Sequence, residues 1–282
     1  MALTPIGTAG VAFGSGGVGF AVSNSYPLYA TGPTYDPAAQ AFITRADLTD
    51  TAQKMAINQL AVDFRAAGFF AAGKSYAYWP VVGGTAATHA LNLFNVDAFP
   101  LVFPAGFIHE TTGCKSTAGT IASTGFVGSR DLVGDTLALA FYSRTDDNAN
   151  WDMGTVETQM NVQGLIIRRG NGLSASDIGN DNTYAGRTET DGRGLFIGSR
   201  TSPTAHALYK NGAVVASNTV ATPMPMQKSA TAYGLCGAAG GSGSSSARQC
   251  AGAGIFAGLS ATEAQTLYDA VQKFNTALGR QV

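Results

Sequence analysis

Gly68-Phe-Phe-Ala-Ala-Gly-Lys74-Ser75 has the spacing of a phosphate-cradling loop. In that motif backbone N–H groups wrap the phosphates between a strand and the start of a helix. Here the elements come in the reverse order. A helical pattern precedes Gly68, and Ser75-Tyr-Ala-Tyr-Trp-Pro80 follows, with a proline and aromatics that oppose helix. Two phenylalanines inside the loop would crowd a phosphate, so the match is read as chance in a chain of 36 glycines. Gly14-Ser-Gly16-Gly-Val-Gly19 fits a dinucleotide fingerprint in spacing alone. Phe20 to Pro27 is no helix, and no alternating strand–helix pattern surrounds it.

Glycoside hydrolysis needs paired carboxylates on rigid neighbours. The nearest approach to the Glu-x-Asp-x-x-Glu run of β-sandwich glucanases is Glu189-Thr-Asp191-Gly-Arg-Gly194, which lacks the last acid. There is no Gly-x-Ser-x-Gly elbow. No catalytic residue is assigned, and the expectation is a protein that is not an enzyme. His89, His109 and His206 are far apart and show no helical ligand spacing, so each is read as a surface or satisfied histidine. Asp146, Asp147, Asn148, Asn150 and Asp152 are the densest set of oxygen ligands. Without the glycine and terminal glutamate of a calcium loop, they read first as a polar turn. No metal or cofactor is expected. Cys114, Cys236 and Cys250 are too few for a disulfide framework and are read as buried thiols, although spacing leaves a Cys236–Cys250 bridge open.

One segment suits recognition rather than reaction. Asp146-Asp-Asn-Ala-Asn-Trp151-Asp152 sets an indole among planar polar groups, and sugars stack C–H faces on aromatic rings while their hydroxyls take hydrogen bonds. Trp151, Asp147 and Asn150 are therefore the candidate glycan-binding residues. The competing reading is a structural turn with Trp151 folded into a sheet edge.

These residues must be positioned by a mainly β body. Residues 1–36 carry prolines at 5, 27 and 33 and scattered aromatics, and read as an extended anchoring arm. Residues 37–73 read as helical: Asp36 and Pro37 suit a helix start, and Asp50 with Gln53 caps a second helix whose Ile57, Leu60 and Phe64 share a face up to Gly68. From residue 74 short strand-like runs alternate with Gly, Asn and Asp clusters, as in 136–144, 164–168 and 194–200. Asn211-Gly212 is a two-residue hairpin turn. Residues 237–247 read as a flexible loop by composition. Ser260 and Glu263 form a capping box for a last helix with Leu267, Val271, Phe274 and Leu278 on one stripe, ended by Gly279.

Only 12% of residues are charged, and the formal net charge is −1. Nothing there attracts nucleic acid or an anionic membrane, and no run is long enough to span a bilayer. The N-terminus lacks the positive charge of a secretory signal, so synthesis without Sec export is expected. A surface so poor in charge suits an assembly whose faces are covered.

Three stretches then stand together. Asp50 to Leu60 with Tyr78-Trp-Pro-Val-Val-Gly-Gly-Thr-Ala-Ala-Thr-His89 resembles a module of phage virion proteins. Arg248-Gln-Cys250 through Gly258–Glu263 to Leu278-Gly-Arg-Gln-Val282 resembles that module's end. Leu208-Tyr-Lys-Asn-Gly-Ala-Val-Val215 resembles the hairpin of concanavalin A-like and laminin-G-like domains. The resemblance implies a concanavalin-like jelly-roll β-sandwich over 74–282, with the helical segment before it and the C-terminal helix closing it. It also implies a non-catalytic virion protein, made in the host cytoplasm, in a tail fibre, baseplate or receptor-binding position. Capsid decoration or a head fibre is the alternative, and a host glycan-binding protein or glycan-active enzyme is the alternative of another class. The expected partners are other virion proteins held through the arm, further copies in a homo-oligomer (a trimer among the options), and a host-surface glycan. Neither nucleic acid nor membrane insertion is expected.

Overall fold

Asp36 accepts a hydrogen bond from the Ala38 N–H, and Pro37 occupies the first turn of α1 (Pro37–Arg45). The Asp50 carboxylate caps α2 (Thr51–Ala66) through the Gln53 N–H, burying Ile57, Leu60 and Phe64, and Gly68 leaves the helix at φ +77°. In this computed structural model, residues 34–117, 119–158, 161–179, 184–222, 226–240 and 245–282 are described. The run at 14–19 and all but the last three positions of the expected arm lie outside them. Asp36–Val282 form a single compact unit.

The chain continues through β1 (Ser75–Trp79), α3 (Ala86–His89), β2 (Phe107–Glu110), β3 (Gly113–Ser116), β4 (Ala122–Val127), α4 (Gly128–Asp131) and β5 (Leu137–Ser143). Next come β6 (Met153–Thr158), β7 (Asn161–Ile166), β8 (Leu173–Gly179), β9 (Ala185–Thr188), β10 (Gly194–Ser202), β11 (Ala205–Lys210) and β12 (Ala213–Asn218). The last are β13 (Ala232–Leu235), β14 (Gly237–Ala239), β15 (Cys250–Phe256) and α5 (Ala261–Ala277). Two sheets result. The first runs β12-β11-β10-β5-β15-β3-β2, with β1 also on β15; the second runs β4-β13-β6-β7-β8-β9, with β14 also on β6. All pairs are antiparallel except β14 with β6. The expected mainly β sandwich with a C-terminal helix is what forms.

Leu139, Phe141, Phe196 and Ile255 of the first sheet meet Met153, Leu165 and Ile178 of the second in the core. The opposite face of the first sheet is covered by helices: Phe64 packs edge-on against Tyr78, and the Tyr142 hydroxyl donates to Gln272 of α5. That double cover explains why every residue of β5 is buried. The capping box of Ser260 and Glu263 starts α5 as its spacing requires. Asn211 (φ +50°) and Gly212 (φ +80°) make the turn between β11 and β12. One expectation needs correction. Of the stretch 237–247, residues 237–239 are strand β14, because small residues let the chain lie parallel against β6 with Ala238 fully buried.

Pro80-Val81, β15 and the end of α5 meet at one buried side chain. Arg280 donates from Nη1 to the Val81 carbonyl (2.6 Å), and from Nη2 to those of Pro80 (2.7 Å) and Ala251 (2.9 Å). Its Nε donates to Asn275 of α5 at 2.8 Å. Val81 sits at φ +48°, a conformation costly for a β-branched residue, and the arginine holds its carbonyl there. Burial lowers the Arg280 pKa to about 10, which leaves it charged at neutral pH.

Candidate functional site

The segment between β5 and β6 is organised from beneath by a fully buried ion pair. Arg248 Nε donates to Asp152 Oδ1 at 2.9 Å, both side chains being inaccessible. A buried charge is tolerated only when its remaining hydrogen-bonding capacity is used, and here it is. Arg248 also donates to the carbonyls of Thr145 (2.8 Å), Arg168 (3.3 Å) and Asp147. Asp152 accepts from Ser246 Oγ (2.7 Å) and the Ile167 N–H (2.7 Å). The segment therefore leaves β5 on a fixed course and delivers Trp151 to the outer face of the second sheet.

On that face the strands present Gly164 and Ile166 from β7, Leu173, Ala175 and Asp177 from β8, and Gly186 from β9; the register pairs Gly164 with Asp177 and Ala175 with Gly186. The two glycines make room for rings. A Cβ at Gly164 would lie 2.5 Å from Trp151 Cζ3, and one at Gly186 would lie 2.9 Å from Tyr184 Cδ2. Each ring thus rests on bare backbone. Trp151, Tyr184, Ile166, Leu173, Ala175, Asp177 and Arg169 line a cavity of about 300 Å3. Tyr184 is 49% exposed, and the Arg169 guanidinium lies 5.9 Å from the Trp151 ring centroid. Two rings, an apolar floor and two charged groups form a site able to hold a small amphipathic ligand.

Of the residues expected from sequence, Trp151 lines this cavity, half-buried. Asp147 and Asn150 are exposed in the same segment, and neither is among the lining residues. Their backbones contribute: the Asp147 carbonyl holds Arg248, and Arg169 Nη2 reaches the Asn150 carbonyl at 3.5 Å. Sequence reasoning missed Tyr184, Arg169 and Asp177. Glycines inside strand-like runs mark close approach of another group, and Gly164 and Gly186 were that signal.

The other motifs find structural work. Lys74 pairs with Glu263 of α5, and α2 precedes the look-alike phosphate loop while β1 follows it, the reverse of a phosphate site. Glu189 is buried between Arg187 (2.7 Å) and Lys210 (3.1 Å). Burial works against its ionised form, but the Asp191 N–H and these two cations hold it below the usual carboxylate range. Arg193 takes Asp191 down to about 2. The acidic segment is divided, Asp146 pairing with Arg168 (3.0 Å) and Asp152 with Arg248.

His89 and His109, distant in sequence, meet at 3.0 Å through their Nδ1 atoms. The Gly84 N–H donates to His89 Nε2, so the His89 proton sits on Nδ1 and is given to His109. Burial first, then His109, pushes His89 down to about 3. His206 is buried against Ser176 Oγ at 2.9 Å. The three cysteines are buried free thiols, and hydrogen bonding among them, followed by burial, raises Cys114.

No family model and no curated protein matches the sequence. Among solved structures, a Trypanosoma rangeli sialidase mutant displaying trans-sialidase activity is similar at 11% identity, TM-score 0.45, covering 76% of this chain and 39% of its own. Domain 4 of an extracellular arabinanase from Geobacillus stearothermophilus, in complex with arabinotriose, is similar at 10% identity, TM-score 0.42, covering 69% of this chain and 98% of its own. The chain spans well under half the length of the sialidase. Likenesses this distant decide neither fold nor function, and the two-sheet architecture rests on the strand pairing itself.

Proposed function

We propose that the chain is a non-catalytic structural protein of a phage particle that binds a glycan on the outer face of its second sheet. The observation that carries the binding part is the cavity walled by Trp151 and Tyr184, each ring laid on a strand glycine. Rings held in this way are pre-ordered, so a sugar stacking on them does not have to immobilise them. The virion part is supported by the sequence patches that resemble a phage module and by a surface nearly free of net charge. The non-catalytic part is supported by the state of the acids: Glu189 and Asp191 are both held ionised by cations, whereas a general acid needs a raised pKa.

A glycan array with the wild-type protein and Trp151→Ala tests the binding. The wild type is expected to bind a defined glycan set and the variant, folded by circular dichroism, to lose it. Absence of binding by the wild type, or its full retention by Trp151→Ala, overturns the site. Mass spectrometry of purified particles tests the virion role, and absence of the chain from them overturns it.

A further inference from the structure

We infer that the Trp151–Tyr184 cavity takes an acidic sugar, whose carboxylate docks on Arg169 while its hydroxyls are taken by Asp177; this rests on the glycan reading above. Arg169 lines the cavity, and among the described residues it has no ion-pair partner. Its neighbour Arg168, by contrast, is paired with Asp146.

The Arg169 Nε is buried without any hydrogen-bond acceptor, and Nη2 has only the 3.5 Å contact to the Asn150 carbonyl. Buried polar groups in folded proteins are almost always satisfied, so an unsatisfied guanidinium edge at a cavity marks where an acceptor belongs. A carboxylate suits that edge, since its two oxygens match two parallel N–H groups of the planar fork. The cavity does not call for a bare anion. Asp177, 5% exposed, brings a negative charge to the same lining and would repel an ion that offered no hydrogen to donate. A uronic-acid-type sugar gives the Arg169 edge its acceptor, offers hydroxyl hydrogens to the Asp177 carboxylate and presents C–H edges to the two rings.

The test is an array of matched pairs, each a uronate-containing oligosaccharide and its neutral hexose counterpart, with inorganic sulfate, which has no hydrogen to donate, as competitor. Wild-type protein is expected to favour the acidic member by about tenfold or more, as befits one charge-assisted bidentate contact, and sulfate is expected not to compete. In Arg169→Gln the ratio of acidic to neutral binding should collapse towards unity. Arg169→Lys, which keeps the charge but loses the fork, should fall between. Equal binding of both members, a preference that survives Arg169→Gln, or competition by sulfate overturns the inference and leaves the glycan reading standing. Failure of the wild type to bind any sugar overturns both.

Discussion

Gly164→Ala separates a ring supported by backbone from one that merely lies nearby. The added methyl would stand 2.5 and 2.6 Å from Trp151 Cζ3 and Cε3. Carbon atoms pack best at about 3.5–4.0 Å, so the indole must move by roughly 1 Å or the strand must yield. Alanine is otherwise acceptable inside β7, so the clash with the ring outweighs any change in strand preference, and overpacking of this kind costs about 1–3 kcal/mol. The chain has two tryptophans, and Trp79 is fully buried in the core. In a Trp79→Phe background, fluorescence therefore reports Trp151 alone. The expected result is a red-shifted, more quenchable emission, a urea midpoint lowered in line with that cost, and glycan binding weakened by about tenfold as a stacking contact worth about 1 kcal/mol and its buried area are lost. Unchanged emission together with unchanged stability would refute the idea that Trp151 rests on Gly164.

Asp152→Ala leaves Arg248 as an uncompensated buried cation and is expected to cost about 3–5 kcal/mol in urea unfolding; Asp152→Ala with Arg248→Met should recover a substantial part, and a loss below about 1 kcal/mol in the single variant would contradict the buried pair. Acid should destabilise the protein through His89. Its folded pKa of about 3 lies below the ordinary 6.5, so the unfolded state binds the proton first, and stability present above about pH 6.5 is lost as pH falls towards 3. Thermal melts across that range should show the slope, and His89→Gln should flatten it; an unaltered slope would remove His89 as its source.

Local physics made much of the fold legible in the sequence. Asp36-Pro37, Asp50 with Gln53, Ser260 with Glu263 and Asn211-Gly212 satisfy or bend the backbone within a few residues, and each helix start or turn lies where those residues require it. Short apolar runs bounded by Gly, Asn and Asp clusters at 136–144 and 194–200 marked β5 and β10. Trp151 stood out because an indole among short polar side chains is a local feature. What surrounds it was decided by strand register. Gly164, Asp177 and Gly186 share a face only because β7, β8 and β9 pair as they do, and a slip of one residue would turn each to the other face. The Arg248–Asp152 pair spans 96 residues and the His89–His109 contact 20, separations at which composition and spacing carry no distance information. Residues 237–239 misled for the same reason: small side chains resemble a loop in sequence, yet against β6 they are what permits a buried strand.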